Sequence, residues 1–269
     1  MRSTLLSGFH RRVLTLFSLL LLTATASAVQ AQDTTQALAN GALTIGLELF
    51  PSNGGGSFMR SYAMLGTRRQ SLPLIVAPAA TVHVPLGGSM RLTLHSSYMS
   101  STILDHYVLY DTSGGMLRQS PGISDELSIT AVPILAGIDL VSAPAQFGSH
   151  IGIEAGLSIA NVDWTTTSQG NSGFDFFRPI INTSGISIAP AFRLVAGVTY
   201  DFDKARAAQT VIRGLYLEAS YLTIPVSRDF FATLRRQGRG FTPPDEDDAT
   251  LDLGGPSLTF GLVINLAGR

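Results

Sequence analysis

The chain has 269 residues, with 14% charged, 45% hydrophobic, 27 glycines, a formal net charge of −1 and no cysteine. Without cysteine there are no disulfides, no thiolate metal sites and no lipid attached through a thiol. The balanced charge offers none of the basic surface that nucleic acid requires. Past the leader, no segment approaches the roughly twenty apolar residues of a helical span.

The first residues differ from the rest. Arg2, Arg11 and Arg12 precede a short apolar core, Val13–Leu22, and small residues follow at Ala26-Ser27-Ala28 and Val29-Gln30-Ala31. This is the pattern of a secretory signal peptide over residues 1–31, cleaved after Ala28 or Ala31. Its loss removes three of 18 basic residues and leaves 15 against 19 acidic ones, a net charge of −4. Residues 32–42 read as a polar lead on the periplasmic side, and 43–269 as one barrel domain.

The rest of the chain carries the two-residue period of strands. Leu43–Phe50 sets Leu43, Ile45, Leu47 and Leu49 against Thr44, Gly46 and Glu48. Pro51–Gln70 reads as a long Gly- and Ser-rich loop. Leu72–Val84 alternates despite Pro73 and Pro78, residues that cannot donate to a ladder. After a tight turn, the third strand sets Met90, Leu92, Leu94 and Tyr98 against Arg91, Thr93, His95 and Ser97. It is expected to continue toward Tyr110.

Leu127–Leu140 alternates less cleanly. Asp139 breaks the parity of the first half, so a bend or bulge is expected near Pro133. Ile151–Asn161 is regular. Val162–Ser184 reads as a loop with an aromatic cluster of Trp164, Phe174, Phe176 and Phe177. Ile186–Tyr200 is the longest clean alternation, and Leu215–Tyr221 and Ser257–Leu266 complete the set. Tyr98, Trp164, Phe176, Tyr200 and Tyr221 stand near strand ends, where interfacial aromatic belts belong.

Eight strands result, joined by connections that alternate long and short. Short periplasmic turns and long outer loops have that order in outer-membrane barrels, and an even count leaves both chain ends in the periplasm. The expected fold is all-β: an eight-stranded antiparallel up-and-down transmembrane β-barrel.

Three segments carry a family resemblance: Leu127–Leu135 with its central Pro133, Gly214–Tyr221, and Thr259–Leu266. They resemble the small Gram-negative outer-membrane β-barrel domains of the OmpA-membrane-domain, OmpX and PorT-like kind. The resemblance implies a bacterial outer-membrane location, contact with outer-membrane lipid, and a terminal strand, Thr259–Leu266, read by the assembly machinery. The usual final aromatic residue is absent here, and Ala267-Gly268-Arg269 trail behind.

With polar faces inward, the lumen receives Glu48, Arg91, Glu154, Arg193 and Glu218. Arg193 lies on the strand between those carrying Glu154 and Glu218. An eight-stranded barrel is just wide enough to be filled by side chains, and buried ions must pair. A Glu/Arg network filling the lumen is therefore expected. The function read from this is non-enzymatic, either a structural or interaction barrel or a narrow, porin-like pore. It would act as a monomer, without cofactor or metal. Two alternatives stand beside it. A lipid-modifying esterase would use His95 and Ser97, which share a face. A soluble periplasmic ligand-binding barrel would turn the apolar faces inward. The acidic run Asp245–Asp248 reads as a solvated loop, and the loop arginines Arg235, Arg236 and Arg239 as possible partners for lipid phosphates.

Overall fold

The computed structural model describes residues 41–51, 55–64, 71–87, 89–108, 110–111, 118–119, 122–142, 146–168, 182–202, 211–227 and 250–266. The leader, residues 32–40 of the lead, the aromatics Phe174, Phe176 and Phe177, the loop arginines Arg235, Arg236 and Arg239 and the Asp245–Asp248 run lie outside them.

The strands are β1 Ala42–Phe50, β2 Ile75–Gly87, β3 Met90–Ser97, β4 Met99–Tyr107, the two-residue pair β5 Tyr110–Asp111 and β6 Arg118–Gln119, β7 Ile123–Val141, β8 Phe147–Ser168, β9 Asn182–Asp201, β10 Ile212–Ser227 and β11 Thr250–Asn265. Every large-sheet pairing is antiparallel. The order β3-β2-β1-β11-β10-β9-β8-β7 is closed by pairing of β3 with β7. β3 and β4 meet β7 in one unbroken register, Ser96↔Ile134 and Met99↔Ala131, and so form one crossing strand. The ring therefore has eight members. Short hairpins join β2–β3, β7–β8 and β9–β10 at one end, and the long connections lie at the other.

Three expectations need correction. Pro51–Gln70 is not all loop, since Gly56–Met64 forms a helix, α1. It is tied to β11 by Ser57 Oγ and the Thr250 amide, 3.1 Å, and by the Asp252 amide to Gly55 O, 3.3 Å. The expected bulge near Pro133 is absent, because β7 and β8 hold one register from Ile123↔Ser168 to Val141↔His150. Several strands also run past their expected ends. Leu215–Tyr221 becomes Ile212–Ser227, and Ile151–Asn161 becomes Phe147–Ser168. Trp164 thus sits on β8 and is fully buried, not at a lipid interface.

The two corrections to the strands share one cause. Parity along each strand is constant, but the chemistry it carries reverses. On β7 the lumen side reads Leu127, Ile129, Ala131, Leu135, then Asp139, all buried. The outer side reads Ser124, Glu126, Ser128, then Ile134, Ala136, Ile138 and Leu140. At the hairpin end the barrel is polar within and apolar without. At the loop end it is the opposite, with a core that includes Phe58, Met59, Tyr62, Leu72, Trp164 and Leu222. Phe58 and Tyr62 of α1 pack edge-on to Trp164, ring centroids 5.8 and 5.3 Å away.

Candidate functional site: the barrel lumen

At mid-height, side chains from β1, β8, β9 and β10 converge. The register sets Glu154 opposite Arg193 on β8 and β9, and the alternation turns both inward. Arg193 Nη1 donates to Glu154 Oε2 (3.1 Å), Nη2 to Glu218 Oε2 (3.2 Å) and Nε to Ser220 Oγ (3.2 Å). Glu48 Oε1 lies 3.7 Å from Arg193 Nε and accepts hydrogen bonds from Ser257 (2.8 Å) and Ser220 (3.3 Å). Glu48, Glu154, Arg193 and Glu218 are at most 4% exposed. One guanidinium thus serves three carboxylates, and the two serines add hydrogen bonds to Glu48 Oε1, while Glu48 Oε2 has no hydrogen-bond partner among the described residues. Buried charges persist only when paired and hydrogen-bonded in this way.

Arg91 stands apart from this cluster. Nearer the hairpin end its Nε and Nη2 lie 2.8 and 2.7 Å from Asp139 Oδ2, and no glutamate bonds it among the described residues. Sequence parity misplaced Asp139, which is in fact buried in the lumen. Three histidines also face the lumen. His150 Nε2 donates to Glu218 Oε1 at 2.9 Å, His95 Nε2 is 3.7 Å from Glu48 Oε2, and His83 Nδ1 is 4.0 Å from Asp139. The signal was available in their parity: His83 lies between the outward Val82 and Val84, His95 follows the outward Leu94, and His150 precedes the outward Ile151.

Between these groups is a cavity of about 60 Å³, lined by Thr44, His83, Arg91, His150, Tyr216 and Glu218 among others. That is room for roughly two waters. Tyr216 on β10 is in register with Gly261 on β11 and, through it, with Gly46 on β1. A Cβ built on Gly46 would fall 2.5 Å from the Tyr216 hydroxyl, so the phenol occupies space that only glycine leaves.

The loop end carries a second, smaller polar group. Tyr62 donates to Asp105 (3.2 Å), while Tyr107 (3.2 Å) and Thr166 (2.6 Å) donate to Asp125. Burial pushes the Asp125 carboxyl above its ordinary range against the pull of those donors. The Tyr62 bond fastens α1 to the barrel wall.

His95 and Ser97 are both inward and fully buried. His95 Nδ1 is bonded to Thr81 Oγ1 at 2.9 Å, and Ser97 Oγ has no hydrogen-bond partner among the described residues. No nucleophile–base pair exists there, and neither group meets lipid. The esterase alternative needed both side chains on the lipid face with a carboxylate beside His95; Glu48 Oε2 is 3.7 Å from His95 Nε2, but the pair faces the lumen.

Outside the hairpin half, Phe192, Leu194, Leu217, Phe260 and Leu262 are 38–60% exposed and point away from the ring. Phe147, Tyr200 and Phe202 cluster below them, with ring centroids 4.9 and 6.0 Å apart. Tyr221 faces outward near the top of the apolar surface, 54% exposed. Water would not tolerate an apolar belt that encircles the ring, whereas lipid requires one, and a closed sheet leaves no backbone group unpaired within it. The chain is a small β-barrel of the outer-membrane type. The soluble binding barrel fails on the same belt.

No family model matches this sequence, and no curated protein matches it. Solved structures of similar outline include Neisserial surface protein A, at 9% identity over 84% of this chain and 96% of that one, TM-score 0.41. They also include Ail, the attachment invasion locus protein of Yersinia pestis. Alone it gives 10% identity over 84% and 99%, TM-score 0.37; with the heparin analogue sucrose octasulfate it gives 10% over 84% and 98%, TM-score 0.35. Likeness at these scores is one of outline, and no property of those proteins transfers with it.

Proposed function

We propose that the protein is an exported barrel of the bacterial outer membrane whose role is structural or interactive and not conductive. Its leader, residues 1–31, would direct export, and Thr259–Leu266 would serve as the strand recognised during assembly. The observation that carries the reading is the filling of the lumen at two levels. Ions and solutes entering from the hairpin end meet Arg193 bound to three carboxylates. Beyond it they meet an apolar core wedged by α1. A porin-like path would have to break both layers.

The test is conductance in planar bilayers, with insertion verified by the slower gel migration of the boiled protein. The expected result is inserted protein without sustained current. Steady ohmic steps from the wild-type chain would restore the narrow-pore reading.

A further inference from the structure

The charges of the Arg193 cluster do not balance. Glu48, Glu154 and Glu218 bring three carboxylates to one guanidinium, and all four side chains are buried. Full ionisation would leave two negative charges over. The wall holds these groups together, since Glu48 and Glu218 both stand in register with Thr259. Carboxylates gathered in a buried site do not all ionise unless further positive charge joins them.

Two imidazoles stand where that charge is wanting. Gly197 on β9 is in register with His150 on one side and Glu218 on the other. A Cβ on Gly197 would fall 2.6 Å from His150 Cε1 and 2.7 Å from Glu218 Cγ, so the glycine leaves the space in which the two side chains meet at 2.9 Å. Across the lumen, His95 Nε2 and Glu48 Oε2 face each other at 3.7 Å. Both atoms are buried, and neither has a hydrogen-bond partner among the described residues. Arg193 thus offsets Glu154, His95 stands against Glu48, and His150 against Glu218.

The other charged groups nearby are already paired. Arg91 holds Asp139, and Arg213 holds Asp201. His83 bonds Thr44 and lies 4.0 Å from Asp139, a carboxylate that Arg91 neutralises. Thr81 of β2 bonds His95 Nδ1, and β7 sets only Leu135 opposite His95 and Val141 opposite His150. The small cavity beside His150 and Glu218 is also lined by Arg213, whose side chain is 35% exposed at the hairpin mouth. Water at that mouth has a short path to the cluster.

We propose that the lumen is a proton-loaded switch: His95 and His150 each carry a proton in the folded barrel, and losing both to bulk water at alkaline pH loosens the hairpin half. This rests on the filled-lumen reading above. The two protons belong to the cluster as a unit. Unfolded histidines release theirs above about pH 6.5. In that range the folded chain binds more protons than the unfolded one, so stability falls as pH rises.

The test is urea unfolding of the full chain in phosphatidylcholine vesicles, from about pH 6.5 to about pH 9. The wild-type unfolding constant should rise with pH, by up to about 100-fold per unit while both protons are retained. His150→Gln/Glu218→Gln and His95→Gln/Glu48→Gln each remove one imidazole together with the carboxylate it offsets. Each should cut the rise to about tenfold per unit, and either folded variant suffices. A flat wild-type profile, or an unchanged slope in a folded variant, would overturn the switch. So would an infrared band of a neutral carboxyl that Glu48→Gln or Glu218→Gln abolishes, since the protons would then sit on glutamate. Conductance separates this from the reading beneath it: steady current at neutral pH removes the filled lumen, whereas a silent barrel with a flat profile removes the switch alone.

Discussion

The two halves of the barrel obey one alternation with opposite chemistry. In the hairpin half, Leu194 and Phe260 face out while Arg193 and Glu218 face in; in the loop half, Ser128 and Asp163 face out while Leu127 and Trp164 face in. The same strands, β7 to β10, pass through both. What changes is the solvent. Lipid outside forces the polar residues inward, where they must pair in a narrow lumen. Water outside lets the strands bury their apolar side, as any soluble sheet does. The loop half also splits into leaves. Among the described residues β4 pairs only with β7, and β9 above Phe192 only with β8, while β10 and β11 keep one another. Only where lipid surrounds it is the ring closed.

Substitutions can break this contrast at either half. The largest effect is expected from Arg193→Met, which strands three buried carboxylates and should cost about 3–5 kcal/mol. Urea-induced unfolding from lipid vesicles measures it; a loss below that of an ordinary surface change would mean that the cluster is hydrated. Trp164→Ala should cost a similar ~3–5 kcal/mol by leaving a cavity in a dry core. Phe192→Ala, on the lipid face, should cost far less, because lipid closes the space. Equal losses at the two positions would erase the distinction between the halves.

A smaller pair of changes places one charge at two heights on the outside. Leu194→Arg, within the belt, should destabilise by about 2–4 kcal/mol. Ser128→Arg, above it, should stay within about 0.5 kcal/mol. The smallest effect is expected from Thr102→Ala. It removes an exposed hydroxyl bonded to Ser128 Oγ at 3.0 Å and should also fall within about 0.5 kcal/mol.

The sequence showed the ring and its loop order well, because alternation and turn residues are local signals. It showed the loop half poorly. Leu222, Ile224 and Val226 have the opposite parity to Leu215, Leu217 and Ala219, so a search for one apolar face stops at Tyr221. The same reversal on β7 imitates a bulge near Pro133 and hides Asp139. Helix α1 was missed because Gly54-Gly55-Gly56 and the serines around it look like loop. Its hydrophobic side, Phe58, Met59 and Tyr62, has meaning only against Trp164, more than one hundred residues away. Glu48, Glu154, Arg193 and Glu218 were legible as lumen residues from parity alone. That Arg91 would pair with Asp139 instead was not, because the height of each side chain depends on register.

The most direct measurement uses the absence of cysteine. Single cysteines replace outward residues along β7, Ser124, Glu126 and Ser128 above and Ile134, Ala136 and Ile138 below, in protein reconstituted in vesicles. A membrane-impermeant maleimide should label the first three rapidly and leave the last three protected until the vesicles are dissolved in detergent. Ready labelling at Ile134 to Ile138 in intact vesicles, with protection at Ser128, would contradict the reversal of chemistry between the two halves.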